Sequence, residues 1–200
     1  MENINNKFNN ELQQQIDGTL PGGHIYNLGS PGADLLSAGL PDLPIELSAE
    51  RLAKKASVNY GHPFDLSELK DLPKSINEPI AVFDSTKKDK SKVILTELQH
   101  KGNNYIAIIK IRKSADSRKT DINVNSIRSI YPKNNIFGII DWINSKDSLL
   151  LWIDREKALN FISTQSTNLI ASGDKIQGST INIINNFPNV KVKMANNTLT

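Results

Sequence analysis

Tyr105-Ile-Ala-Ile-Ile-Lys-Ile-Arg112 is the stretch on which the fold turns. β-branched and aromatic side chains fill it, and the polar Lys101-Gly-Asn-Asn104 precedes it, so it predicts a strand entered from a turn. Side chains alternate along a strand, which puts Lys110 and Arg112 on one face with Ile108 and leaves Ile109 and Ile111 on the other. Upstream, Pro79-Ile-Ala-Val-Phe83 and Val93-Ile-Leu-Thr-Glu-Leu98 have the same grammar. Downstream, 121–131 alternates well enough to be a fourth strand and 148–153 is a further apolar run. Polar turns separate the runs, so consecutive antiparallel pairing is expected.

Helical signals lie on both sides of these runs. Phe8, Leu12 and Ile16 recur every four residues before Gly18, which predicts a first helix over 6–17. Ten glycines and prolines from Gly18 through Pro44 then break the backbone into a connector with one helical turn or two over 32–38. Ser48 reads as the N-cap of a helix with Leu52 and Ala56 inward, ended by Tyr60, Gly61 and Pro63. Another starts at Asp65 or Ser67, with Leu66, Leu69 and Leu72 inward, and stops at Pro73. Beyond the strands, helices are expected over 135–143, from an Asp154 cap through Ala158, Phe161 and Ile162, and over 179–187. The order gives an α+β fold in which N-terminal helices pack on one face of a small antiparallel sheet, with additional C-terminal helices. Residues 1–187 are expected to form a single domain, and 188–200 a loose tail.

The 200 residues suit one domain with a substantial core: 38% are hydrophobic and 22% charged. No cysteine is present, which excludes disulfides, thiolate metal sites and thiol nucleophiles. His24, His62 and His100 are far apart in sequence and sit in no metal-binding motif, so neither metal nor cofactor is expected. No apolar run is long enough for a membrane span, and the polar N-terminus does not read as a signal peptide, so a soluble chain is expected.

The net charge of +3 hides a gradient. Residues 1–50 hold one basic and seven acidic residues, 51–133 seventeen and nine, and 134–200 six and five. The middle segment therefore carries +8, enough to attract phosphates and to make nucleic acid a candidate partner. Lys87, Lys88, Lys90 and Lys92 within it read better as a solvated cluster guarding a sheet edge.

Among residues able to do chemistry, His62 stands out. In Tyr60-Gly-His-Pro-Phe64 the following proline keeps it extended and outside a helix interior. An imidazole titrating near ~6.5 can take and return a proton at neutral pH; a capping or ring-stacking histidine is the structural alternative. Lys110 and Arg112 offer a cationic face to a phosphodiester. Glu97, Arg128, Ser129 and Tyr131 on the flanking strands can add a carboxylate, a guanidinium and two hydroxyls, although a cross-strand Glu97–Arg112 ion pair explains the first equally well.

Leu43-Pro-Ile-Glu-Leu-Ser48, Lys54-Lys-Ala56, His62-Pro-Phe64, Leu72-Pro73, Pro79-Ile-Ala-Val-Phe83, Leu95-Thr-Glu-Leu98, Ser129-Ile-Tyr131 and Asp154-Arg-Glu-Lys-Ala-Leu159 occur in that order. Together they resemble the phage MuF C-terminal domain family, from about Phe8 to about Phe161. That family is regarded as related to the barnase, EndoU, colicin and RelE group of nuclease toxins. The resemblance implies a BECR-like fold and metal-independent RNA cleavage by the ribose 2′-hydroxyl. It implies proton transfer by His62, with Lys55 and Arg128 on the phosphate oxygens. Ser129 and Tyr131 would hydrogen-bond phosphate or base, and Glu97 would orient His62 or carry the second proton. Lys54, Lys110 and Arg112 would extend the RNA track. The implied partners are RNA, with tRNA among its targets, and a cognate immunity protein; the implied setting is a cytoplasm reached through a phage or secretion carrier. The 114–120 segment is longer and more basic than a tight hairpin requires, which bears on where Arg128 falls. Two other readings stay open: a non-catalytic nucleic-acid or phage-structural adaptor, and another toxin chemistry such as ADP-ribosyl transfer.

Overall fold

The computed structural model describes residues 2–60, 63–85, 91–113, 122–133, 138–139, 149–171 and 191–193, with backbone alone for 113, 166–171 and 191–193. In chain order the elements are α1 (Glu2–Ile16), β1 (Ile25–Asn27), α2 (Ala33–Ser37), β2 (Ile45–Ser48), α3 (Ala49–Ala56), α4 (Leu72–Asn77), β3 (Ala81–Asp84), β4 (Lys92–His100), β5 (Asn103–Lys113), β6 (Asn123–Pro132), β7 (Leu150–Asp154), α5 (Arg155–Ala171) and β8 (Lys191–Lys193). Short 3-10 turns at Val58–Tyr60 and Leu66–Leu69 lie between α3 and α4. The fold is α+β.

The strands form one sheet in the order β1-β2-β6-β5-β4-β3-β7-β8. The expected small antiparallel sheet is therefore corrected to an eight-stranded mixed one, because β2 runs parallel to β6 and β7 parallel to β8. Both parallel pairings join segments far apart in sequence, where no hairpin turn announces the contact. β5 lies inside the sheet, between β4 and β6. Lys101 (φ 48°) and Gly102 (φ 78°) alone make the β4–β5 turn, and His100 faces Asn103 across it. Left-handed backbone at both central residues matches the twist of the strands they join.

The alternation read in β5 sorts two cores. Tyr105, Ala107 and Ile109 enter one with Phe8 and Leu12 of α1, Leu52 of α3 and Ile76 of α4; Ile106 enters the other with Phe83, Leu95, Ile153, Ala158, Phe161 and Ile162. Helices thus cover both faces of the sheet rather than one. Burial on both faces explains why β3 through β5 read as nearly continuous apolar runs.

Local caps behave as their sequences suggest. Ser48 Oγ accepts from the Arg51 amide at 3.3 Å to open α3, and Asp154 Oδ1 accepts from the Lys157 amide at 3.1 Å to open α5. The region from Asp65 differs from expectation: a 3-10 turn capped by Asp65 precedes α4, and Pro73 sits in the first turn of α4 instead of ending a helix. A proline costs nothing there, since first-turn amides have no intrahelical acceptor. Asn5 and Asn9 of α1 hydrogen-bond the Asp71 carboxylate, and their side-chain oxygens accept from the Lys74 and Asp71 amides at 3.2 and 2.9 Å. The expected helix over 179–187 lies outside the described residues, as does that over 135–143 apart from Gly138 and Ile139. Within the stretch expected as a tail, Lys191–Lys193 pair with β7.

Candidate active site

α3 begins directly after β2 and lies along β6, where the Arg51 guanidinium donates to the Ile127 carbonyl at 3.3 Å. One helical turn on, Lys54 and Lys55 place their ammonium groups 5.4 and 4.9 Å from the centre of the Tyr60 ring. Both distances are within cation–π range. The Tyr60 hydroxyl also holds the Lys54 ammonium above the ordinary lysine range. Burial lowers the Arg51 pKa, and the positive charge of Arg112 lowers it further. Arg51 and Arg112 of β5 therefore oppose each other as like charges, and Lys54 and Lys55 crowd the Tyr60 ring one turn on. A bound anion relieves that repulsion.

His62 lies outside the described residues. Of the residues flanking it, Tyr60 faces the two lysines, and Phe64 packs edge-on against Tyr105 with ring centres 5.2 Å apart.

The remaining candidates occupy other parts of the sheet. Ile108 pairs with Ser129 and Ile109 with Ile127, which makes Arg128 the extra residue of a β-bulge. Ser129 and Tyr131 stand opposite Ile108 and Ile106. Tyr131 packs against the α5-side core, and burial pushes its phenol up. By the strand alternation Lys110 lies toward that side too. Glu97 is bonded to Lys157 of α5 at 2.5 Å, and the same ammonium donates to the Glu78 carbonyl at 2.8 Å. Glu97 also borders a polar cleft of about 150 Å³ with Gln99, Asn104, Asn160 and Gln165. Lys54 and Lys55 are thus gathered at Tyr60 and Arg112 is within electrostatic reach of Arg51, whereas Glu97 is engaged by α5.

A second constellation was not singled out from sequence. Glu68, in the turn before α4, receives the Tyr105 hydroxyl at 2.6 Å on Oε2 and lies 2.9 Å from His100 Nδ1. A carboxylate only accepts, so Nδ1 carries the proton and Nε2 is left as the reactive nitrogen. Burial and the Glu68 carboxylate push the Tyr105 phenol up, which keeps it a donor. Glu68 and His100 are 32 residues apart, and only the packing of the turn on β4 brings them together. Among the described residues no three His, Cys, Asp or Glu side chains form a group able to hold a metal ion.

A family model described as the phage MuF C-terminal domain matches residues 53–160, more than half of the chain. The chain belongs to that family. Comparison with curated proteins and with solved structures returned no match. The MuF match runs from α3 into α5, so it takes in the α3 lysines, His62, Glu68, the whole β3–β6 hairpin series and Arg128, and leaves α1, β1 and β2 outside it. No helix among the described residues of this MuF domain is long and apolar enough to cross a membrane.

Proposed function

We propose that this MuF C-terminal domain is an endoribonuclease of toxin type, related to the BECR nucleases, that cleaves RNA without a metal ion. The observation that carries the reading is the pair Lys54 and Lys55 over the Tyr60 ring, one turn beyond an Arg51 that Arg112 opposes, on a stretch that leads along the chain directly into Gly61-His62. Such a cluster suits a polyanion with flat bases: cations follow the phosphates while an aromatic ring stacks on a base.

In the proposed reaction the ribose 2′-oxygen attacks the adjacent phosphorus and the bond from phosphorus to the 5′-oxygen breaks. The products are a 2′,3′-cyclic phosphate and a free 5′-hydroxyl. The 2′-hydroxyl proton passes to a base, and the departing 5′-oxygen receives one from an acid. His62 serves as one proton carrier. Lys55 and Arg128 neutralise the phosphorane oxygens, where positioned charge accounts for most of the rate. Ser129 hydrogen-bonds phosphate or base and Lys54 and Arg112 extend the track, whereas Tyr131 and Lys110 lie toward the α5 side of the sheet, away from the α3 lysines, and take no part in the proposed reaction. The setting is a cytoplasm entered through a phage or secretion carrier, with tRNA among the substrates and an immunity protein as inhibitor.

Incubation of the purified chain with total RNA in excess chelator tests this. New fragments ending in 2′,3′-cyclic phosphates are expected. Salt-sensitive RNA binding with no new ends would instead favour a nucleic-acid adaptor.

A further inference from the structure

We propose that His100, oriented by Glu68, is the second proton carrier of this reaction; the inference rests on the ribonuclease reading above. Two groups must exchange protons with RNA, and the family resemblance implies Glu97 as the partner of His62 or its orienting group. Glu97 has another engagement: its carboxylate is held by Lys157, whose ammonium also ties Glu78 to the start of α5. That arrangement fastens a helix to the sheet.

His100 has the geometry of a positioned acid–base group. Its Nδ1 is committed to Glu68 Oε2 at 2.9 Å and Oε1 at 3.0 Å, which fixes the ring and the tautomer. Nε2 has no hydrogen-bond partner among the described residues, and the side chain keeps 17% of its surface accessible. Glu68 is fixed in turn by the Tyr105 hydroxyl, and Tyr105 is fully buried beneath Phe64, two residues along the chain from His62. A nucleophile-activating imidazole backed by a carboxylate, itself locked by a third group, is a recurrent solution to proton transfer. The Glu68 carboxylate meets the ring and Lys101 follows it in the hairpin turn; on the far side of Glu68 the Tyr105 phenol bonds the same carboxylate, and Asp65, the cap of the 3-10 turn, is within electrostatic reach of that phenol. From α4, which also packs on β4, the exposed Lys74 is the only charged side chain. His100 is the catalytic residue here, and Glu68 and Tyr105 position it.

The test is the rate of cleavage of a labelled RNA oligonucleotide by the full chain between pH 5 and 9, with folding checked by circular dichroism. His100→Gln is expected to lose roughly 10²–10⁴-fold in kcat with little change in KM, and to lose one limb of the pH–rate profile. Glu68→Gln should displace that limb, and in Glu97→Gln the limb should persist. His100→Gln retaining wild-type rates, or slowing with the profile unchanged, overturns the role of His100 and leaves the ribonuclease reading standing. A wild-type chain that yields no cyclic phosphate ends overturns both. Should His100→Gln not fold, nitrogen-15 spectra of the wild type decide: Nδ1 protonated in the neutral ring, with Nε2 titrating along that limb, is expected, and the opposite tautomer overturns the assignment.

Discussion

Tyr105 gives its hydroxyl proton to Glu68 across 2.6 Å, so a side chain of the sheet core holds a carboxylate belonging to the turn before α4. Tyr105→Phe removes one charge-assisted hydrogen bond and leaves the ring packing in place. The expected cost is about 1.5–3 kcal/mol, read as a lower urea midpoint at unchanged slope. A midpoint equal to wild type would mean that water replaces the phenol at no cost.

Buried Tyr26 and Tyr105 and half-buried Tyr131 set the alkaline limit of stability. Burial pushes Tyr26, Tyr105 and Tyr131 above the ordinary phenol value, helped at Tyr26 by Glu11 and at Tyr105 by Glu68. In the unfolded chain these phenols ionise near ~10. The unfolded state then binds fewer protons than the folded one, so stability is complete below that pH and falls as pH rises through it. Urea unfolding at pH 8, 9, 10 and 11 should show a steady midpoint at first and a progressive drop at the last two; a rise there contradicts the assignment.

Asn125 anchors the parallel edge of the sheet. Its amide nitrogen donates to the Pro41 and Leu43 carbonyls at 2.9 and 2.8 Å, and the residue is 1% exposed. Asn125→Ala leaves those acceptors unpaired beside β2, which should cost about 1–3 kcal/mol and speed hydrogen exchange at the Ile45–Ser48 amides. Exchange rates unchanged in β2 would show that the strand holds without this tie.

The α3 cluster has a salt signature. If Arg51, Lys54 and Lys55 each neutralise one phosphate, each alanine variant should lower the slope of log affinity against log salt by about 1. Tyr60→Ala should weaken binding while leaving that slope in place, because stacking releases no counterions. Slopes equal to wild type in all three cationic variants would remove α3 from the RNA surface.

Much of the fold is legible in the sequence because its signals are local. The β3, β4 and β5 runs, the two-residue turn before Asn103, and the Ser48 and Asp154 caps each depend on neighbours a few residues away. β1 and β2 are not legible in this way. They are three and four residues long, sit among prolines and glycines, and β2 exists through pairing with Asn125 and Ser126 some 80 residues later. The site divides along the same line. Lys54, Lys55 and Tyr60 meet through helical spacing and one turn. His100 gains meaning only from Glu68, 32 residues earlier, and the Lys157 partner of Glu97 is 60 residues later. Cross-chain pairings of this kind come from tertiary packing, which hydrophobic periodicity does not encode.

The 2′-hydroxyl nucleophile is the central claim, and one substitution in the substrate tests it. An RNA oligonucleotide containing a mapped cleavage site is compared with the same oligonucleotide carrying a single 2′-deoxyribose immediately 5′ to the scissile phosphate. The account predicts that the all-ribose strand is cut to a 2′,3′-cyclic end while the substituted strand stays intact at that position. Cleavage of the substituted strand at the same bond would contradict it, because another nucleophile would then be doing the work.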